Sequence, residues 1–220
     1  MGQNSVAVSC AEASKRLRQG RFSRKQTQAT DVLSLQMLRT PLLDWVGFAG
    51  SDGRVVSVSL GHSSPASVRA AVLRSAPLHA SGTVQEEDWN PQLATLLLKY
   101  SEEQPVDLSE VPIVWPQLPP FHDRVLRVVQ RIPYGQTLSY AEVARRAGSP
   151  QAARAVGNCM RNNRLPLLIP CHRVIASNGG LGGFTAPRGA ALKSELLELE
   201  RKMAARGDHA GHASTKSDSL

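Results

Sequence analysis

The sequence predicts an α/β fold: a small N-terminal α/β domain on an antiparallel sheet, then a mainly helical C-terminal domain containing a helix-turn-helix. Three observations predict it. The pair Asp52-Gly53 stands between two β-rich runs, which is a strong short-range hairpin signal. Residues 104–120 contain Pro105, Pro112, Pro116, Pro119 and Pro120, so they cannot form one helix and read as a surface linker. The charge balance changes at the same place: residues 1–115 carry 11 basic and 11 acidic side chains, whereas residues 116–206 carry 14 against 5.

Composition sets the outer limits. With 220 residues and 41% hydrophobic content, the chain can build one large or two small domains around a real core. No apolar run reaches the roughly 18 residues that cross a bilayer, and the N-terminus lacks the apolar stretch of a secretory signal. Neither a membrane-spanning nor a secreted protein is expected. Cys10, Cys159 and Cys171 are odd in number and far apart, which predicts reduced thiols rather than a disulfide framework or a four-cysteine zinc site.

In chain order, residues 1–30 set Lys15, Arg16, Arg18, Arg21, Arg24 and Lys25 against one acid, Glu12. They read as a flexible basic N-terminus. The N-terminal domain is expected over 31–115. Trp45, Val46 and Phe48 form one arm of its hairpin, and Val55, Val56, Val58 and Leu60 the other. Residues 66–73 and 92–100 read as helices, the second with Leu93, Leu96, Leu97 and Tyr100 on one stripe.

The C-terminal domain is expected over 116–206. A helix over 121–131 shows Phe121, Val125, Val128 and Val129 at helical spacing and stops at Pro133-Tyr134-Gly135. Ser139 and Glu142 make a capping box for a helix over 140–147, which Gly148 closes. Ser149 is expected to cap the next helix, 150–162, with Pro150 in its first turn. The two form a helix-turn-helix, or alternatively a packed helical hairpin. The second helix carries Arg154 and Arg161 among Ala152, Ala153, Ala155 and Gly157, small residues that permit close approach to a phosphate backbone. The basic block itself suits nucleic acid, because each phosphate neutralised releases counterions; a solvated basic surface is the competing reading. Residues 207–220 read as a disordered tail.

After that helix, Asn163 leads into an apolar run over 165–170 whose prolines forbid helix, so an extended segment is expected. It delivers Cys171-His172-Arg173-Val174. Cationic neighbours lower a cysteine pKa from about 8.5, so His172 and Arg173 are expected to favour the thiolate. A bare Cys-His pair is more often an inert buried cysteine beside a surface histidine, and the surrounding motifs decide.

Those motifs are Pro170-Cys171-His172-Arg173-Val174, preceded by Arg154-Ala155-Val156-Gly157-Asn158, Asn163 and Leu168-Ile169, and by Ile132-Pro133-Tyr134-Gly135 with Ser139-Tyr140. Together they resemble the O6-alkylguanine-DNA alkyltransferases over about residues 121–200, and more weakly over the hairpin at 45–60. The resemblance implies a ribonuclease H-like N-terminal domain and direct DNA repair. An alkyl group on O6 of guanine in double-stranded DNA would pass irreversibly to Cys171, once per molecule, after the nucleotide is flipped out. It implies no cofactor and no membrane partner. A monomer is expected, with cooperative loading on DNA left open. The implied location is the nucleus in a eukaryote, otherwise the cytoplasm or nucleoid, with an organelle also open.

Residue roles follow from the same match. His172 would take the thiol proton through water, with a carboxylate holding its ring. The family's spacing points to Glu198, whereas the pattern of Lys193, Leu196 and Leu197 points to Glu200. At about 100° per residue, Leu192, Leu196, Leu199 and Met203 form an apolar stripe with Glu200 at its edge and Glu198 on the far side, which favours Glu200. Arg154 matches the finger inserted into the base stack, with Ala153, Gly157 and Arg161 beside it on the DNA. Tyr140 matches the residue that helps rotate the nucleotide and protonates the guanine ring. Asn163 matches the hinge between recognition helix and active-site loop. Met160, Pro166, Phe184 and the backbone of Cys171, Val174 and Thr185 would line the guanine pocket. Phe184 replaces the family's usual Tyr, and residues 185–189 are longer and stiffer, which leaves pocket width open. Cys10, His62 and His79 are too weak a set for a metal, so no zinc site is expected. Two other classes stay in play: a non-catalytic reader of alkylated DNA, against which Cys171 argues, and a cysteine hydrolase, which would turn over repeatedly.

Overall fold

A computed structural model describes residues 32–76 and 82–212, with side chains as far as 206. The basic N-terminus, Cys10, His79 and residues 213–220 lie outside the described residues. Strands β1 (Val32–Thr40), β2 (Asp44–Ser51) and β3 (Arg54–His62) form an antiparallel meander. Asp52 and Gly53 turn between β2 and β3 with φ of 51° and 72°, the positive pair that a type I′ hairpin turn requires.

The sheet order is β3-β2-β1-β4, and β4 (Thr83–Glu86) joins β1 in parallel. Three strands are therefore antiparallel, as expected, and a parallel edge strand is added to them. Its direction comes from the crossover through helix α1 (Pro65–Ser75), because a parallel partner cannot be reached by a tight turn. The pleat splits β2 between two cores: Val46 and Phe48 join the main cluster, whereas Ala49 joins Val68 and Val72 of α1. Helix α2 (Pro91–Ser101) adds Leu93, Leu97 and Tyr100 to the main cluster. The proline-rich stretch is more than a spacer. Val55 N–H donates to Pro112 O at 2.9 Å and Val114 N–H to Val55 O at 2.8 Å, so it extends the outer edge of β3.

Four helices follow: α3 (Pro120–Gln130), α4 (Tyr140–Arg146), α5 (Ala153–Arg161) and α6 (Gly189–His212). Both halves of the Ser139–Glu142 capping box are present at α4. Helix α5 starts later than expected, at an Ala152 cap with no side-chain bond. Ser149 does not cap it because it belongs to the end of α4: Ser149 N–H reaches back to Ala144 O at 2.9 Å, with Gly148 at φ 76°. Nor are residues 165–170 extended. They form tight turns, with Ile169 N–H on Leu165 O at 2.7 Å and Leu167 at φ 69°. Turns let Leu165, Leu167, Leu168 and Ile169 all be buried, which an extended run pointing alternately to two sides would not.

On α6 the stripe Leu192, Leu196, Leu199 and Met203 is buried as expected. The helix runs on through His212, into the stretch read from sequence as a disordered tail. One hydrophobic cluster runs from Phe48 and Tyr100 to Val125, Leu165 and Leu196, so the two halves of the chain share a core. Among the described residues, no helix is long and apolar enough to cross a membrane.

Candidate active site

Strand β5 (Leu138–Ser139) pairs in parallel with β6 (Val174–Ile175). This joins the start of α4 to a 3-10 turn, Cys171–Arg173, and sets the thiol beside the helix-turn-helix. Behind the turn, Glu200 of α6 is fully buried. Its Oε1 accepts from His172 Nε2 at 2.9 Å, Tyr100 Oη at 2.9 Å and Arg173 Nη2 at 2.8 Å. Its Oε2 accepts from Arg173 Nε at 2.8 Å and the Gly135 backbone N–H at 3.2 Å. Burial would raise this carboxyl's pKa, but the hydrogen bonds and charges of His172 and Arg173 outweigh it and hold the group at about 2. Glu198 faces outward and pairs with Arg201.

The ionised carboxylate can only accept, so Nε2 of His172 carries the hydrogen. That leaves Nδ1 with a lone pair, buried and without a hydrogen-bond partner among the described residues. Burial lowers the His172 pKa against the pull of Glu200, so the ring rests neutral with its basic nitrogen available.

Cys171 is 7% exposed. Burial pushes its thiol pKa up, and this outweighs an Asn163 hydrogen bond, the Lys193 charge and the backbone N–H groups of Cys171 and His172. The expected thiolate, favoured by His172 and Arg173, is not the resting state. The reason is geometric: Arg173 turns its guanidinium to Glu200 and to Ile132 O, and His172 is neutral. The nearby cation is Lys193, buried on α6, with Nζ on the carbonyls of Val174 and Leu181 and its pKa brought down by burial to about 8.

Cys171 lines two clefts. One, of about 560 Å³, is bounded by Tyr140, Arg154, Gly157, Met160, Arg161, Phe184 and Thr185. The other, of about 520 Å³, shares Met160, Arg161, Phe184 and Thr185, adds Asn163 and Pro166, and opens toward β3 and α1. Arg154 and Arg161 are exposed, and Ala153 sits half-buried on the first turn of α5 beside Arg154. Val174 lines neither cleft; it is buried behind them. Asn163 donates to Ile169 O at 2.7 Å and accepts from Leu165 N–H at 3.1 Å, which braces the loop before the thiol. His62 shares a hydrogen bond with Ser59 at 2.8 Å. Among the described residues no group of three or more His, Cys, Asp or Glu side chains could hold a metal.

Four participants were not read from sequence as parts of the site. Tyr100 looked like another apolar position of α2, and nothing in the sequence signals a partner at Glu200. Gly135, at φ 72°, brings its N–H onto Glu200; a Cβ there would lie 2.8 Å from the Ala204 Cβ. Gly182, at φ 67°, lets its loop close over Tyr140, since a Cβ would lie 2.7 Å from the phenol oxygen. Lys193 could have been found: it stands two turns before Glu200, on the same helix face.

Residues 120–202 match the family model described as 6-O-methylguanine DNA methyltransferase, DNA binding domain. The chain is 45% identical over 82 residues to the constitutive methylated-DNA–protein-cysteine methyltransferase of Bacillus subtilis, covering 37% of this chain and 49% of that protein. It is 42% identical over 100 residues to the Homo sapiens methylated-DNA–protein-cysteine methyltransferase, covering 45% and 46%. The chain thus spans about half the length of the curated relatives it matches. A crystal structure of Mycobacterium tuberculosis OGT in complex with DNA superposes with TM-score 0.62 at 26% identity, over 77% of this chain and 94% of that one. Over residues 120–202 the chain is thus similar to the DNA-binding domain of the 6-O-methylguanine DNA methyltransferases, and its two-part α/β architecture is similar to that of the Mycobacterium tuberculosis OGT.

Proposed function

We propose that this protein repairs O6-alkylguanine in double-stranded DNA by moving the alkyl group onto Cys171, once per molecule. The observation that carries the reading is the position of the Cys171 thiol, where two clefts meet beside α5, backed by a neutral histidine held by an ionised carboxylate. The relatives' names support the same chemistry.

The reaction begins with a neutral thiol and a neutral imidazole. His172 Nδ1 takes the thiol proton through a water, and the resulting imidazolium is stabilised by Glu200, as in other histidine-activated nucleophiles. The charge of Lys193 and the hydrogen bond from Asn163 favour the thiolate as it forms. Sulfur attacks the saturated carbon on O6. The S–C bond forms as the C–O6 bond breaks, and the electron pair returns to the guanine ring. Tyr140 protonates that ring; its burial, together with Cys171, raises its pKa, so it holds its proton until charge develops on the base. The thioether product has no easy leaving group, which makes the step irreversible.

Reaching O6 in a duplex requires extrusion of the nucleotide, at a cost of a few kcal/mol of stacking. Arg154, exposed on α5 at the edge of the Tyr140 cleft, would fill the gap, with Ala153, Gly157 and Arg161 along the phosphate backbone. Met160, Phe184 and Thr185 would hold the flipped base, with Pro166 and the backbone near Val174 behind it. The domain boundary near residue 115 belongs to this reading as well.

Mass spectrometry after incubation with an oligonucleotide bearing O6-methylguanine tests it. The expected result is a gain of one methyl, mapped to Cys171, with stoichiometric exhaustion and full loss in Cys171→Ala. Sustained turnover, or no adduct at Cys171, would refute it.

A further inference from the structure

With the base held in the cleft beside Tyr140, the second cleft meets it only at its near wall, where Pro166 backs the base, and the rest of it is left free. At about 520 Å³, the second cleft falls within the range of roughly 300–1,000 Å³ typical of small-molecule pockets, far more than a methyl group needs. Its wall includes Arg74 from the last turn of α1, together with Arg161 and Arg164. Among the described residues no Asp or Glu lines it. Arg69, Arg127, Arg173, Arg188, Arg201 and Arg206 each pair with a carboxylate elsewhere, whereas Arg74, Arg161 and Arg164 form no ion pair with a described residue. The cleft is therefore a basic hollow that begins at the reacting sulfur.

We propose that this second cleft receives the far end of the O6 substituent, and that the protein prefers extended substituents ending in an anion over neutral ones of equal length. The inference rests on the alkyl-transfer reading. With the base in one cleft and the attacked carbon at Cys171, which both clefts share, the second cleft offers the rest of the substituent a path past the sulfur, along a wall that holds Arg74 and Arg164. The displacement is unchanged: the first carbon moves to sulfur and carries the chain with it, with no added reactant. The DNA phosphates would by themselves disfavour a negative substituent, so a preference for one would have to come from the protein.

Duplexes carrying O6-methyl-, O6-(4-carboxybutyl)- and O6-(4-carbamoylbutyl)guanine provide the test, read as single-turnover rates of mass gain at Cys171. At low salt the carboxylate is expected to transfer about tenfold faster than the amide, the factor that corresponds to about 1.4 kcal/mol. The advantage should shrink as salt rises. Arg74→Gln with Arg164→Gln is expected to erase it, and Arg74→Glu to reverse it, with methyl transfer held within about twofold. Equal rates for acid and amide overturn the proposal, as does a preference that survives the double substitution. Failure of methyl transfer would instead bring down the alkyl-transfer reading, so the two failures are distinguishable.

Discussion

Glu200 accepts five hydrogen bonds while fully buried, and it ties the site to stability. Its pKa is lowered from 4.5 to about 2, so the unfolded chain binds the extra proton between those values. The contribution is complete above about pH 4.5 and fades as pH falls toward 2; by linkage it is on the order of 3 kcal/mol. Urea unfolding at pH 7, 5 and 3 should show the loss, and Glu200→Gln should flatten it relative to the native chain. The same substitution leaves Arg173 without its buried counter-charge, which costs about 3–5 kcal/mol. Glu198→Gln should change stability by no more than about 0.5 kcal/mol, because its ion pair with Arg201 is exposed. Equal effects of the two substitutions would remove Glu200 from its assigned place.

At the scale of elements, α4 and α5 carry the exposed Arg145, Arg146, Arg154 and Arg161, while β5 and β6 join the start of α4 to the turn that holds the thiol. Arg154 sits on α5, exposed and clear of the Glu200 cluster, so its contribution can be separated from the chemistry. Arg154→Ala should slow repair in duplex DNA at least tenfold while leaving transfer from free O6-benzylguanine within about twofold, since only the duplex must be opened. Equal slowing of both would refute the finger role. The capping box of α4 was legible because it is a local exchange between Ser139 and Glu142. The start of α5 was not, because the N–H of Ser149 is held by the preceding helix.

The whole molecule enters the site through Tyr100. This residue lies in the N-terminal half, yet its hydroxyl donates to Glu200, and its ring meets Tyr134 edge-on at 6.2 Å. Tyr100→Phe keeps the packing and removes one donor. Stability should fall by about 1–2 kcal/mol, measured as a lower urea midpoint with unchanged slope, while alkyl transfer stays within a few-fold. An unchanged midpoint would show that the two halves are coupled by packing alone.

From the residues in order one could read the hairpin, the helical stripes, the basic second half and the motif around Cys171, because each depends on neighbours within a turn or two of chain. The parallel strand β4, the turns over 165–170 and the resting protonation of Cys171 could not be read that way. Each depends on burial against segments distant in sequence. A thiol flanked by His172 and Arg173 looks activated on paper, yet the folded chain aims both side chains at Glu200, keeps the imidazole neutral and withdraws the sulfur from water. Desolvation and long-range partners set the chemistry of the site, and both exist only once the chain has folded.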